Sequence, residues 1–251
     1  MGRRHRVAYT TLHATAGELR PLIFHGAAKG GMRRIARSYT AKARKTLASM
    51  AKYLGPRHKL CRRLGSCIWG DPTCPSIRRP FGAGQHGQNI RRKLSVYGSQ
   101  LQDKQKIRMH YGLLERQMRK TFKEAQRMGG VTGTNLLMLL ESRLDCVVYR
   151  LGFAPTIAAA RQLVNHGHIL VDGKKADIPS MRVMPGMTVS IRERSRKVPM
   201  IAELAEHPPA VMPEYLQREA KSFEGRMIAL PNAETIPFKA DTAGVIGFYS
   251  R

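Results

Sequence analysis

The sequence predicts an α+β fold, with a mainly helical region joined to a smaller module in which a helical hairpin packs on a small twisted β-sheet. Three observations predict it. Apolar residues recur at helical spacing through residues 99–139, and two short amphipathic helices follow within 140–165. Apolar strand segments around a hairpin turn come directly after them.

In "LQDKQKIRMHYGLLERQMRKTFKEAQRM", Ile107, Tyr111, Leu114, Met118 and Phe122 recur at spacings of three or four, with Lys and Arg on the opposite face. Gly129-Gly130 ends this helical stretch. A second one, "TNLLMLLESRLDCVVYRLGF", is expected to break near Glu141. Leu144, Val147, Val148 and Leu151 then make one apolar helix face, which Gly152 ends. Thr156 suits the N-cap of the next helix, whose Ala160, Leu163 and Val164 face the same core. Gly167 supplies a left-handed closing residue. "HILV" reads as a strand and Asp172-Gly173 as a hairpin turn. In "PGMTVSIRERS", Val189 and Ile191 alternate with Thr188, Ser190 and Arg192, as in a second half-buried strand. Beyond Val198 the chain is Pro-rich and mildly acidic, and it ends in "VIGFYSR", expected to be a strand or a docking tail.

Residues 50–98 are rich in Gly, Pro, Arg and Cys and poor in periodic apolar residues, so loops and short helices are expected there. Residues 1–49 form a basic extension in which Glu18 is the only acid. Three readings of it stay open: a segment that orders on a polyanion, a transit peptide, or the product of an upstream start codon with Met50 as the true start. The expected division is therefore 1–49, 50–98, a larger domain from 99–139 with 198–251, and the small module at 140–197.

Charge narrows the function. The 44 Lys and Arg against 17 Asp and Glu give a net charge of +27, and the successive segments 1–49, 50–130, 131–200 and 201–251 carry +10, +14, +5 and −2. Self-repulsion on this scale disfavours a compact isolated chain, so a polyanionic partner, nucleic acid, is the economical explanation. No apolar run approaches the roughly 20 residues that cross a bilayer, and the basic residues are spread too widely for one membrane-surface helix. A membrane partner is not expected. Four cysteines in 251 residues do not make a disulfide scaffold and point to a reducing compartment.

The corner Asn165-His166-Gly167-His168 is the first candidate site. With Leu163 and Val164 buried, Arg161, Gln162 and Asn165 fall on more exposed positions, and Lys174 and Lys175 lie just past the hairpin turn. Arg143 and Arg150 are expected on the same edge. Arginine forks and side-chain amides suit phosphate oxygens and base edges, and histidine can stack or donate. The second candidate is "RRPFGAGQHGQNIRRK". It contains G-x-G-x-x-G at Gly82, Gly84 and Gly87, but Arg78, Arg79 and Pro80 precede it and Arg91, Arg92 and Lys93 follow. That context rejects a dinucleotide fold and favours backbone amides approaching phosphates, with Gln85 and His86 at the loop tip. Arg62, Arg63, Arg116 and Arg119 extend the expected RNA-binding set. No nucleophile and base recur at catalytic spacing. Glu141 and Asp145 read as local ion-pair partners and Cys146 as a packed apolar residue. Neither an enzyme nor a small-molecule substrate is expected.

His58, Cys61, Cys67 and Cys74 stand in one loop-rich segment, where Cys and His could hold a structural zinc. Partly buried free thiols are the alternative.

The stretch "SRLDCVVYRLGFAPTIAAARQLVNHGHILVDGKKADIPSMRVMPGMTVSIRERSR" resembles the RNA-binding domain of the ribosomal protein S4 family. "MAKYLGPRHKLCRRLG" is similar to that family's start, "IRRPFGAGQHG" to its internal loop and "FYSR" to its end. The small module also occurs in pseudouridine synthases and some tRNA synthetases, and free-standing versions act on stalled ribosomes. The N-terminal matches set this chain apart from them. The resemblance implies direct binding of small-subunit ribosomal RNA at a multi-helix junction, a role in nucleating subunit assembly and an influence on decoding accuracy. Neighbouring small-subunit proteins beside the messenger entry channel are the further partners it implies. The place of work would be the cytoplasmic ribosome, or an organelle matrix if residues 1–49 are a transit peptide. Many family members carry four cysteines in the loop-rich segment; here His58 takes the first place and Cys67 is out of register.

Overall fold

The computed structural model describes residues 53, 55–89, 93–206, 212–219 and 222–250; the extension 1–49 with the candidate start at Met50, and Arg91 and Arg92, lie outside the described residues. Two short helices, α1 (Arg57–Leu64) and α2 (Pro75–Arg78), begin the described chain. Pro at the first turn of α2 costs nothing there, because its missing N–H would have had no partner. The helical stretch predicted from Ser99 to Met128 divides into α3 (Val96–His110) and α4 (Glu115–Arg127). Gly112 turns the chain with φ 60°, a left-handed conformation that the apolar period does not reveal, and Leu114 is exposed at the N-cap of α4 instead of joining the core. Met118, Phe122 and Ala125 form the buried face of α4.

The break expected near Glu141 is present: α5 (Thr132–Glu141) ends there and α6 (Leu144–Arg150) begins after two intervening residues. In α7 (Ile157–Asn165), the Thr156 hydroxyl accepts from the Ala159 amide at 3.1 Å, and Gly167 follows the helix with φ 72°. The sheet then runs β1 (Ile169–Val171), β2 (Lys174–Ala176) and β3 (Thr188–Ile191), with Asp172 and Gly173 at positive φ in the hairpin turn. One turn of helix α8 (Glu193–Arg196) and then α9 (Pro199–Glu206) follow.

The sequence assigns 198–251 to the larger domain, but the structure divides it. β4 (Leu216–Arg218) and β5 (Glu224–Met227) extend the module's sheet, giving five antiparallel strands in the order β2-β1-β3-β5-β4. The segment's end, read as a strand or docking tail, is a docked helix, α10 (Thr242–Tyr249), capped by Asp241 and packed on α3. Gly244 permits that approach, since a Cβ there would meet the Asp103 carboxylate at 2.5 Å.

One core joins α6, α7, Ile201 of α9 and the sheet; a second lies among α3, α4, α5 and Val245 of α10. The loop-rich segment has a small core of its own, Cys61, Leu64, Ile68 and Cys74. Between the first two sits the Glu141 carboxylate. It accepts from Tyr111 Oη at 2.8 Å, Cys146 Sγ at 3.0 Å, Tyr215 Oη at 3.0 Å, and both Nε (3.1 Å) and Nη2 (2.7 Å) of Arg150. Burial pushes its pKa up, but the Arg150 fork outweighs burial and holds the carboxyl below its ordinary range.

His110 fastens the loop-rich segment to α3. Its Nδ1 lies 2.6 Å from the Ile68 carbonyl and therefore donates, its ring stacks on Phe238 at 3.8 Å, and Nε2 is buried without a partner among the described residues. Burial, aided by the Arg150 charge, lowers its pKa from 6.5 to about 4. The unfolded chain therefore takes up a proton below about pH 6.5 that the folded chain refuses until about pH 4. Stability rises with pH through this window and is lost as pH falls. Urea midpoints measured from pH 6.5 to 5 should show a loss of roughly 1.5 kcal/mol in the natural chain and a flatter profile in His110→Asn, which keeps the donor to Ile68. Parallel profiles would show that His110 is not the group responsible.

Candidate nucleic-acid interface

The helix end after α7 and the hairpin β1–β2 place Gln162, Asn165, His166, Lys174 and Lys175 at the surface. Alternation along β2 turns Lys175 away from the face on which Ala176 is buried, and Lys174 is exposed because it adjoins the turn. His168 is half-buried, with Nδ1 2.8 Å from Ser195 Oγ, so its ring is fastened to α8.

The structure withdraws Arg143 and Arg150 from this edge, while Arg161 stays part-exposed at it but is tied into the scaffold. Arg143 and Arg150 are 8% and 5% exposed. Arg143 forks onto Asp145 at 3.0 and 2.9 Å and Arg150 onto Glu141. Arg161 spans three elements: it donates to Asp145 at 3.0 and 2.7 Å, to the Gly112 carbonyl at 2.6 Å and to the Tyr111 carbonyl at 3.0 Å. Arg150 and Arg161 lie on their helices as expected and Arg143 is the N-cap just before α6, but periodicity could not show that two buried carboxylates bind them. Glu141 and Asp145, read as local partners, are in fact cross-element anchors. Cys146 is packed as expected and also donates to Glu141.

In the loop-rich segment, Arg62 is half-buried. Its Nε and Nη2 donate to the Phe81 and Gly82 carbonyls at 3.1 and 2.9 Å, and its guanidinium lies over the Phe81 ring. It holds the glycine-rich loop rather than reaching outward. The loop is a folded turn: Gly87 N donates to the Gly84 carbonyl at 3.1 Å, and Gly87 lies so close to Gly82 that no side chain would fit between them. Gln85 and His86 stand exposed at its tip; Arg63, Arg78, Arg79 and Lys93 are exposed around it, as are Arg116 and Arg119 on α4.

Two clefts contain residues that sequence reasoning missed. One, of about 360 Å³, is walled by Gln162, Asn165 and His166 of the α7 end and by Tyr53, Arg57 and Trp69 of the loop-rich segment. The signal available for it was that Trp69 is the chain's sole tryptophan and stands in a segment rich in Gly, Pro and Cys with little apolar periodicity to bury it. The other, of about 720 Å³, is bordered by Lys120, Lys123 and Arg127 of α4 and by Arg182. Arg182 pairs with Glu124, so the three α4 cations are the ones without an ion-pair partner there among the described residues.

The thiol segment brings His58, Cys61 and Cys74 together, their ligand atoms all within 4.8 Å of one another. His58 Nδ1 is 3.3 Å from Cys74 Sγ, which also meets Ser76 Oγ at 3.1 Å. Burial pushes Cys61 up to about 12. For Cys74 burial acts the same way, but hydrogen bonds from Ser76, His58 and Cys67 outweigh it and bring the thiol down to about 6. Cys67, expected as a fourth ligand, falls outside the close set; its Sγ lies 3.6 Å from the Asp71 carbonyl oxygen. Two sulfurs and an imidazole nitrogen are a donor set that suits zinc.

Exposed cations and amides on a scaffold in which Glu141 and Asp145 are turned inward define a nucleic-acid-binding protein, built as a helical region carrying a helical hairpin on a small sheet. Comparison with known proteins makes this particular. The model of the ribosomal protein S4/S9 N-terminal domain matches residues 52–141, and that of the S4 domain matches 142–189, meeting at the α5–α6 break. Small ribosomal subunit protein uS4 of Brevibacillus brevis is 52% identical over 202 residues, covering 80% of this chain and 100% of that protein. The proteins of the same name from Geobacillus sp. strain WCH70 and Geobacillus stearothermophilus are 52% and 50% identical over 203 residues, with the same coverage. The chain belongs to the uS4 family of small ribosomal subunit proteins.

The two kinds of basic residue should separate experimentally. Replacing Lys174 and Lys175 together by Ala should reduce the slope of log K against log salt for RNA by roughly two, one for each phosphate no longer neutralised, with little change in stability. Arg161→Ala should instead lower the unfolding midpoint, because it leaves Asp145 and two carbonyls short of donors. A salt slope unchanged in the double variant would remove these lysines from the interface.

Proposed function

We propose that this chain is a structural constituent of the small ribosomal subunit that binds the subunit's RNA directly, helps nucleate its assembly and contributes to the accuracy of translation. The mechanism is electrostatic and geometric: exposed cations neutralise closely approached RNA helices, and the rigid protein holds their relative orientation. The observation that carries it is the 360 Å³ cleft, because its two walls come from the loop-rich segment and the small module. One folded RNA touching both would be recognised by shape as well as charge. The basic residues of the glycine-rich loop and of α4 widen the same contact. Neighbouring small-subunit proteins complete the set of partners. Among the described residues no helix is long and apolar enough to cross a membrane. The place of work is the ribosome, in the cytoplasm, or in an organelle matrix if residues 1–49 are a transit peptide.

The direct test is binding of the full chain to a small-subunit rRNA transcript and to random RNA of equal length at one salt concentration. Tight binding to the first and weak, salt-sensitive binding to the second is expected. Equal affinity would overturn the reading, since charge alone would then account for it.

Zinc belongs to the same proposal. His58, Cys61 and Cys74 would hold it, with Cys67 or a water in the fourth place, and it would supply a cross-link between α1 and the start of α2 where the apolar core is small. Elemental analysis should find about one zinc per chain, and a chelator should increase proteolysis between residues 55 and 80. A chain purified without metal and equally resistant with and without chelator would leave the thiols free.

A further inference from the structure

We propose that the cleft between the loop-rich segment and the end of α7 captures a single unpaired RNA base, stacked on Trp69 and read by the amides of Gln162 and Asn165. The proposal rests on the RNA-binding reading and adds to it a ligand and a mode.

The cleft's shape excludes paired RNA. In a duplex the base faces are stacked away and only edges and backbone are offered, so a concave space with an aromatic wall fits a base only when it is splayed out of its helix. A cavity of about 360 Å³ has room for one planar base. The lining is mixed in the required way. Trp69 rests on the small Cys61–Leu64–Ile68–Cys74 core, which fixes the ring, and remains partly exposed. The Arg57 guanidinium lies over the indole at 5.3 Å from its centroid. An entering base would take that place on the ring, and the displaced guanidinium would be free to meet the phosphate of the same nucleotide. Gln162 and Asn165 face the cleft from α7, both exposed, each offering a donor and an acceptor to a base edge. Tyr53, 47% exposed, stands at the rim as a second aromatic surface. Stacking tolerates any base, so discrimination among bases falls to the two amides.

Trp69 is the only tryptophan, so the protein's indole emission reports this cleft alone. The full chain is titrated with a small-subunit rRNA transcript while filter retention and Trp69 emission are read in parallel, with a fully paired RNA duplex of equal length as the comparison. Emission should fall in step with retention on the transcript and stay unchanged on the duplex. Trp69→Ala should weaken transcript binding roughly 5- to 100-fold, and Trp69→Phe by less, because a smaller ring still stacks. Full retention of the transcript with unaltered emission would overturn base capture and leave RNA binding intact, as would equal quenching by the duplex. Failure of the transcript to be retained at all would overturn both. Should Trp69→Ala not fold, the emission of the natural chain decides the matter without it.

Discussion

A single buried carboxylate determines how the two halves of this protein meet. Glu141 ends α5 with no exposed surface, and the groups that donate to it come from the end of α3, from α6 and from the approach to β4. Removing an anion from water costs several kcal/mol, and the Arg150 fork alone does not satisfy all of its lone pairs. The two phenols and the thiol supply the remaining donors, and burial beside the anion keeps those protons in place by raising the pKa of each group. Apolar packing would allow the helical region and the module to slide against each other. A carboxylate with directional donors on every side does not, because any shift leaves a buried charge short of partners.

That arrangement also decides what the surface can do. The chain has few acids, and two of them, Glu141 and Asp145, are used inside to neutralise arginines that tie helices together. The exposed cations of the glycine-rich loop, α4 and the β1–β2 hairpin gain nothing from those acids, and their field remains available to a polyanion. Arginine thus has two roles here. Its planar fork suits a buried carboxylate and several carbonyls at once, which is Arg161's task, and the lysines of the hairpin keep to the solvated edge.

The loop-rich segment illustrates a different solution to a small core. Four buried apolar residues cannot order some thirty residues by themselves, and polar ties do the rest: His110 to the Ile68 carbonyl, Arg62 to the glycine-rich loop, and the imidazole–thiol cluster across α1 and α2. Each tie also aims something outward. His110 and the small core set the wall on which Trp69 sits, and Arg62 shapes the turn that presents Gln85 and His86.

Helix and strand periods, the break at Glu141, the Thr156 cap and the Asp172-Gly173 turn were all legible in the sequence, since each depends on residues within a few positions of one another. So were the polyanionic partner and the exposed amides and lysines around the helix end. The split at Gly112 was not, because helical spacing continued across it and only the backbone conformation revealed the turn. The extra strands β4 and β5 and the helical end at α10 were missed for a related reason: their short apolar patterns fit either state, and packing on a distant partner chose between them. The inward arginines and the Trp69 cleft belong wholly to tertiary structure. Charge and periodicity report what a residue is and which side of its own helix it occupies; which buried anion or opposing wall it meets is set by elements up to a hundred residues away.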